Sequence, residues 1–159
     1  MKIEFKPIGV IRTPFKELEG MPIQPTGAAG VRGTVEVLPD LAEGLEDLEG
    51  FSHVVLIYHF HRAAPPKLRV TPFLDSEKRG VFATRAPSRP NPIGLSVVRL
   101  VRVEGATLHV ENVDILDGTP LLDIKPHVPD LDAPRADRLG WLERRRRAAS
   151  KKKADDRFA

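Results

Sequence analysis

The chain has 159 residues, 41% of them hydrophobic, with 25 basic and 22 acidic side chains and no cysteine. That length and apolar share suit one folded domain with a short appendage and exclude a disordered chain. The missing thiols exclude a disulfide scaffold, thiol catalysis, iron–sulfur clusters and cysteine-ligated zinc, and no apolar run is long enough for a membrane-spanning helix.

The net charge of +3 is unevenly spread. Residues 142–159 hold 8 basic and 3 acidic side chains, which leaves the body slightly negative. A basic tail on such a body fits a polyanionic partner, RNA foremost, or a solvated end. Met1–Lys6 has neither the apolar block nor the cleavage site of a signal peptide, so the expected compartment is the cytoplasm.

From the N-terminus, Lys2, Glu4 and Lys6 alternate with Ile3 and Phe5, the period of a strand that reaches Arg12. Residues 20–33 are a loop, and Gly33–Leu38 is a second strand. Asp40–Leu48 is predicted to be a short helix, with Asp40 as N-cap and Leu41, Leu45 and Leu48 on one face. His53–His61 reads as a central strand, with Val54, Leu56, Tyr58 and Phe60 facing one way. Val81–Thr84 is a short strand ahead of the proline-dense loop Ala86–Pro92. Ser96–Val103 and Leu108–Leu116 are strands joined by a hairpin turn at Glu104-Gly105-Ala106-Thr107. Asp117–Pro120 is a turn into the strand Leu121–Lys125, and Arg135–Ser150 is predicted to be helical. Successive short strands with little helix point to a mainly β fold, a small antiparallel barrel or sandwich. A doubly wound sheet would need helices that are missing. The expected division is a barrel domain over 1–134 and a C-terminal helix and basic tail over 135–159.

Gly27-Ala28-Ala29-Gly30 lacks the spacing and the preceding strand of a dinucleotide fingerprint, and there is no P-loop. His53, His59 and His61 share a strand face, but no nearby carboxylate completes a metal set, so no metal is expected. His61 stands apart because it ends its strand beside Arg62, where loops build sites. Thr84–Ser96 places Arg85, Arg89 and Asn91 on a frame stiffened by three prolines, which suits a binding loop. Asp117-Gly118-Thr119-Pro120 reads equally as a turn or as part of a site.

Several segments in order resemble one family. They are Ile8–Pro14, Gln24-Pro25, Phe51-Ser52-His53, Phe60-His61, Gly80–Arg85, Arg89–Ser96 and Asp117–Pro126. Together they resemble the TsaA-like family, whose characterised members are S-adenosyl-L-methionine-dependent tRNA methyltransferases acting on the exocyclic amine nitrogen of threonylcarbamoyl-adenosine beside the anticodon. The resemblance covers roughly residues 3–130 and implies a non-Rossmann β-barrel, a homodimer, and S-adenosyl-L-methionine as cofactor. Its implied cofactor contacts are Gln24, Pro25, Thr26, His61, Arg62, Arg85, Leu95, Asp117, Gly118, Thr119 and Pro120. Arg89 and Asn91 are expected to meet the RNA, joined by Arg144, Arg145, Arg146, Arg147, Lys151, Lys152 and Lys153 of the tail. Some characterised members carry an added C-terminal domain, whose RNA contact the tail is expected to share. His127 stands where the family usually has an aromatic residue.

The chemistry of the cofactor suits this set. An arginine binds its carboxylate bidentately, Asp117 suits its ammonium or ribose, and Leu95 with Pro25 suits its adenine. The acceptor nitrogen is conjugated to a carbonyl and must lose a proton, to His61, to Asp117 or to water. The competing reading is a non-catalytic barrel that binds S-adenosyl-L-methionine or RNA. A metal-dependent hydrolase and a methyltransferase for another acceptor are further readings.

Overall fold

The computed structural model describes residues 1–23, 25–143, 145 and 153–158. Its strands are β1 (Gly9–Arg12), β2 (Arg32–Val37), β3 (His53–His59), β4 (Arg69–Val70), β5 (Arg79–Gly80), β6 (Ile93–Glu104), β7 (Thr107–Glu111) and β8 (Thr119–Pro126). Six of them close an antiparallel barrel in the order β1-β2-β7-β6-β3-β8, with β8 pairing back to β1. The separate β4–β5 pair is a two-stranded hairpin.

Period-two patterning fills this ring. Along β3, Val54, Leu56 and Tyr58 turn inward; along β6, Ser96, Val98 and Leu100 do the same, as Leu56↔Ser96 and Val54↔Val98 face each other. Ile11, Val35, Leu108, Val110, Val113, Ile115 and Leu121 complete the core. Closure leaves no free edge on the barrel. The β6–β7 turn is Gly105-Ala106, with Gly105 at φ +60°, a conformation that disfavours a side chain.

The mainly β barrel is the expected fold, but local expectations fail where no partner strand is available. Lys2–Phe5 alternates, yet Ile3 and Phe5 are 67% and 70% exposed and the strand begins only at Gly9. The predicted helix over 40–48 is a 3-10 turn at Pro39–Leu45 and another at Leu48–Gly50, split by left-handed Asp47. Asp40 does not cap it; Leu38 holds that position and Pro39 starts the turn. Val81–Ala83 is a 3-10 turn, because the β4–β5 ladder already ends at Arg69↔Gly80. The strand predicted to run to Leu116 stops at Glu111, followed by Asn112 at φ +64°. Thr119 and Pro120 belong to β8 and not to the preceding turn. Of the helix predicted over 135–150, the described residues show one 3-10 turn, Gly140–Leu142; a short helix, α1 (Pro129–Asp132), precedes it.

A second apolar cluster lies outside the barrel. Val70, Val81, Ala86 and Phe158 are buried together with Phe73 against them. The Phe73 and Phe158 rings meet edge to face at 5.3 Å, and the Arg157 guanidinium sits over Phe73 while donating to the Pro72 carbonyl at 2.8 Å. Pro22 and Lys153 form a β-bridge, with Gly20 N–H donating to Ala154 O and Ala154 N–H to Met21 O. Residues 153–158 are therefore built into the body.

Candidate active site

Antiparallel pairing all round the ring fixes which loops are neighbours. The C-terminal ends of β1, β3 and β7 and the N-terminal ends of β2, β6 and β8 share one rim. That rim carries the loop from 13 to 31, residues 60–62, the loop leading into β6, and residues 112–118. Among the described residues, the cofactor contacts proposed from sequence lie on these loops or on the strand ends beside them. Leu95 sits just inside it, on the outer face of β6 and 51% exposed.

Hydrogen bonds lock these loops together. Phe60 N–H donates to Pro92 O at 2.7 Å, Asp117 N–H to Phe15 O at 2.7 Å, and Gly118 N–H to Ile11 O at 2.9 Å. Gly30 N–H donates to Asn112 Oδ1 at 2.8 Å, which ties the loop holding the 3-10 turn Pro25–Ala28 to the segment after β7. Arg62 donates to Lys16 O and lies 3.4 Å from Glu17, so the strand end at 60–62 reaches the first loop. Thr13, which lies in the segment Ile8–Pro14 but was given no role from sequence, is the clasp: its hydroxyl donates to Ile115 O at 2.6 Å and accepts from Phe15 N–H.

The two nominated bases differ. Asp117 accepts from Lys16 Nζ at 2.7 Å and Thr13 N–H at 3.0 Å, and these hydrogen bonds hold its carboxyl below the usual carboxylate value despite some burial. It is a fixed anion with low proton affinity. His61 lies below its ordinary value because of partial desolvation, then the nearby His59 and Arg62. Its ring is therefore neutral at pH 7 and able to accept a proton.

Other nominated residues divide by what they already hold. Arg85, Asn91 and Thr26 are exposed. Arg89 instead donates to the carbonyls of Thr84 and Ala86 and braces its own loop. The Thr119 hydroxyl is buried and donates to Leu116 O, which leaves only its backbone for a ligand. Arg145 donates to Leu74 O and lies 3.4 Å from Asp75, beside the second cluster. Lys153 is exposed next to its bridge with Pro22. Gln24, Arg144, Arg146, Arg147, Lys151 and Lys152 lie outside the described residues. No group of three metal-ligating side chains occurs among the described residues.

Two features escaped sequence reasoning. One is a chain of three polar groups under the rim. Ser96 Oγ donates to Asp114 Oδ1 at 2.7 Å, and the Tyr58 hydroxyl lies 2.9 Å from Ser96 Oγ. The serine proton is committed to the carboxylate, so the tyrosine donates to the serine. Burial pushes Asp114 up to about 6, while the Ser96 hydrogen bond, its own amide and Arg85 act against the rise. Burial, and then the charge of Asp114, raise the Tyr58 phenol and keep it protonated. Gly94 makes room for this ring, since a Cβ there would collide with it. The other feature is an open groove of about 760 Å³ beside Asp117, lined by Arg12, Lys16, Arg32, Arg102 and His109. Arg12, Arg32 and Arg102 pair with Glu36, Glu111 and Glu104 at 3.3 to 3.6 Å, with the arginine side chains 48% to 84% exposed. Pairs of that length and exposure contribute little and leave the cations open to phosphate.

Comparison with known proteins adds to this geometry. The family described as tRNA-methyltransferase O N-terminal domain matches residues 10–133. A probable S-adenosyl-L-methionine-binding protein of Pyrococcus abyssi is 56% identical over 158 residues, covering 99% of this chain and 86% of that protein. A tRNA (adenine(37)-N6)-methyltransferase of Mus musculus is 38% identical over 136 residues, covering 81% of this chain but 32% of its own length. The crystal structure of TrmO from Pseudomonas aeruginosa superposes with a TM-score of 0.75 at 46% identity, covering 89% of this chain and 63% of that one.

Proposed function

We propose that this chain, which belongs to the tRNA-methyltransferase O family, methylates the exocyclic N6 nitrogen of an adenosine beside the tRNA anticodon, with threonylcarbamoyl-adenosine as acceptor and S-adenosyl-L-methionine as methyl donor. The observation that carries the reading is the single rim on which the loops bearing His61, Arg62, Arg85 and Asp117 are bonded together.

The residues at the rim suit the cofactor. Arg62 and Arg85 offer guanidinium groups for a carboxylate, and Asp117 is held ionised, as an ammonium or ribose hydroxyl requires. The half-exposed Leu95 presents apolar surface at the same rim for an adenine. When bound, the cofactor supplies an activated methyl group on a sulfonium. The protein's task is then alignment and proton removal, and alignment contributes about 7–11 kcal/mol in favourable cases. The adjoining groove offers Arg12, Arg32 and Arg102 to the tRNA backbone, and the basic tail adds to that field. The family's homodimer is part of the same proposal, as is a cytoplasmic setting, where tRNA is processed. No described helix is long and apolar enough to cross a membrane.

The test is calorimetric titration with S-adenosyl-L-methionine and S-adenosylhomocysteine, followed by methyl transfer to tRNA with and without the threonylcarbamoyl group. The expected result is binding of both cofactor forms, lost in Arg85→Ala, and transfer only to the threonylcarbamoylated tRNA. Binding without transfer to any tRNA would favour a non-catalytic cofactor-binding module. Equal transfer to both tRNAs would keep the methyltransferase and remove the acceptor assigned to it. Because Phe158 is part of the second cluster, the tail is tested by charge reversal of Lys151, Lys152 and Lys153 and not by truncation. Weaker tRNA binding with a shallower salt dependence is expected, with cofactor binding unchanged.

A further inference from the structure

We propose that Asp114 is the proton acceptor of the methyl transfer, with Ser96 and Tyr58 as its positioning residues; this rests on the methyltransferase reading above. The three side chains come from three separate parts of the ring, β3, β6 and the segment after β7, and converge beneath the rim. A buried serine and a buried tyrosine hydroxyl that donate in series toward one carboxylate fix its orientation. They leave it without a cationic partner in hydrogen-bond contact among the described residues. Asp75 and Asp117 are held differently: each takes a hydrogen bond at 2.7 Å from a cationic side chain.

The position fits the chemistry. Asp114 lies between the fully buried Val113 and Ile115 yet is itself part exposed, three residues before the Asp117–Gly118 turn of the cofactor rim. The charged and titratable groups acting on it are the guanidinium of Arg85, from the loop before β6, and the phenol of Tyr58, from β3. As the new N–C bond forms, the acceptor nitrogen loses its N–H proton to the Asp114 carboxylate. The electron pair of the broken S–C bond stays on sulfur, which becomes a neutral thioether. The acid form of Asp114 then returns the proton to water at the mouth of the barrel. A carboxylate raised toward 6 remains ionised at pH 7 and is more basic than Asp117.

Two measurements test this. The first is independent of turnover: carbon-13 NMR of the aspartate carboxyls in the intact protein. Asp114 is expected to titrate near 6, and to move higher in Ser96→Ala, which removes a hydrogen bond that favours the charged form. A midpoint at the ordinary carboxylate value, unmoved by Ser96→Ala, would overturn the proposal. The second is single-turnover methylation of tRNA against pH. Asp114→Asn is expected to bind cofactor and tRNA as the parent does, and to lose at least a hundredfold in rate along with the acid limb of the profile. Ser96→Ala and Tyr58→Phe are expected to lose tenfold or less and to shift that limb. Asp114→Asn with parental rate and profile would refute the role even while the parent's activity upheld the function. A parent that transfers no methyl group would instead overturn the function, and the role of Asp114 with it. His61→Ala serves as the contrast: if it abolishes the acid limb while Asp114→Asn keeps it, the proton goes to the histidine.

Discussion

Asp114, at the mouth of the barrel, and Asp75, in the side cluster around β4 and β5, are both carboxylates withdrawn from water, yet their surroundings pull them in opposite directions. Burial works against the charge of Asp75, but hydrogen bonds from Arg79 and from the amides of Ser76 and Glu77, with Arg145 nearby, outweigh it and lower its proton affinity. Asp114 meets hydroxyls instead of cations, and burial wins. A carboxylate satisfied by charge locks a loop, whereas one satisfied by neutral donors stays ready to exchange a proton.

Removing the side cluster's apolar anchor should have the largest effect. Phe158→Ala is expected to cost about 3–5 kcal/mol of local stability, seen as lost hydrogen-exchange protection across β4 and β5 with the barrel strands still protected. Equal loss in both regions would show that the two unfold as one unit. Asp75→Asn should loosen the same hairpin, because Arg79 and Arg145 lose their anion. Its wild-type counterpart has a pH signature: the lowered carboxyl contributes stability that is full above the ordinary carboxylate value and is lost as pH falls through the lowered one. Acid melting of the hairpin ahead of the barrel would show it by pH-resolved exchange.

Asp114→Asn reverses the sign. A carboxyl raised in the folded state contributes stability that is full below its ordinary value and is lost as pH rises through about 6. At pH 8 the variant should therefore be more stable than the parent, by on the order of 1–3 kcal/mol, in thermal or urea melts. A variant less stable at every pH would mean that the carboxylate serves packing only. The smallest effect is expected on the outer face. Arg12→Ala, which breaks the 3.5 Å pair with Glu36, should change stability by less than about 1 kcal/mol while reducing the salt slope of tRNA binding by about 1.

How much of this was legible in the sequence follows from the range of the interactions. The alternation through His53–His59 and the Glu104–Thr107 turn are local patterns, and both stand in the barrel. Ile3 and Phe5 show the same alternation with no strand to receive them, so the pattern misled. Val81–Ala83 has strand-forming residues, yet Val81 serves the second cluster from a turn while Phe82 is left exposed. Recognisable motifs located the rim segments, because short runs such as Arg89–Ser96 carry their own signature. The pairing of Asp117 with Lys16 spans 101 residues, and the Ser96–Asp114 hydrogen bond joins two strands' worth of chain. No window of sequence holds such contacts. Asp114 therefore looked like one more polar residue between Val113 and Ile115, and Arg89, which looked free, is spent on its own loop.

Closure of the six-stranded ring also constrains how this molecule can associate. With the peptide groups of β1 and β8 already joined, no partner can extend the barrel by adding a ribbon to it, and the open edges that remain among the described residues belong to β4 and β5, two residues each. Self-association must then be written in side chains and loops, so it should be tunable by single surface substitutions and by ionic strength, and insensitive to the backbone-mimicking peptides that block β-augmentation.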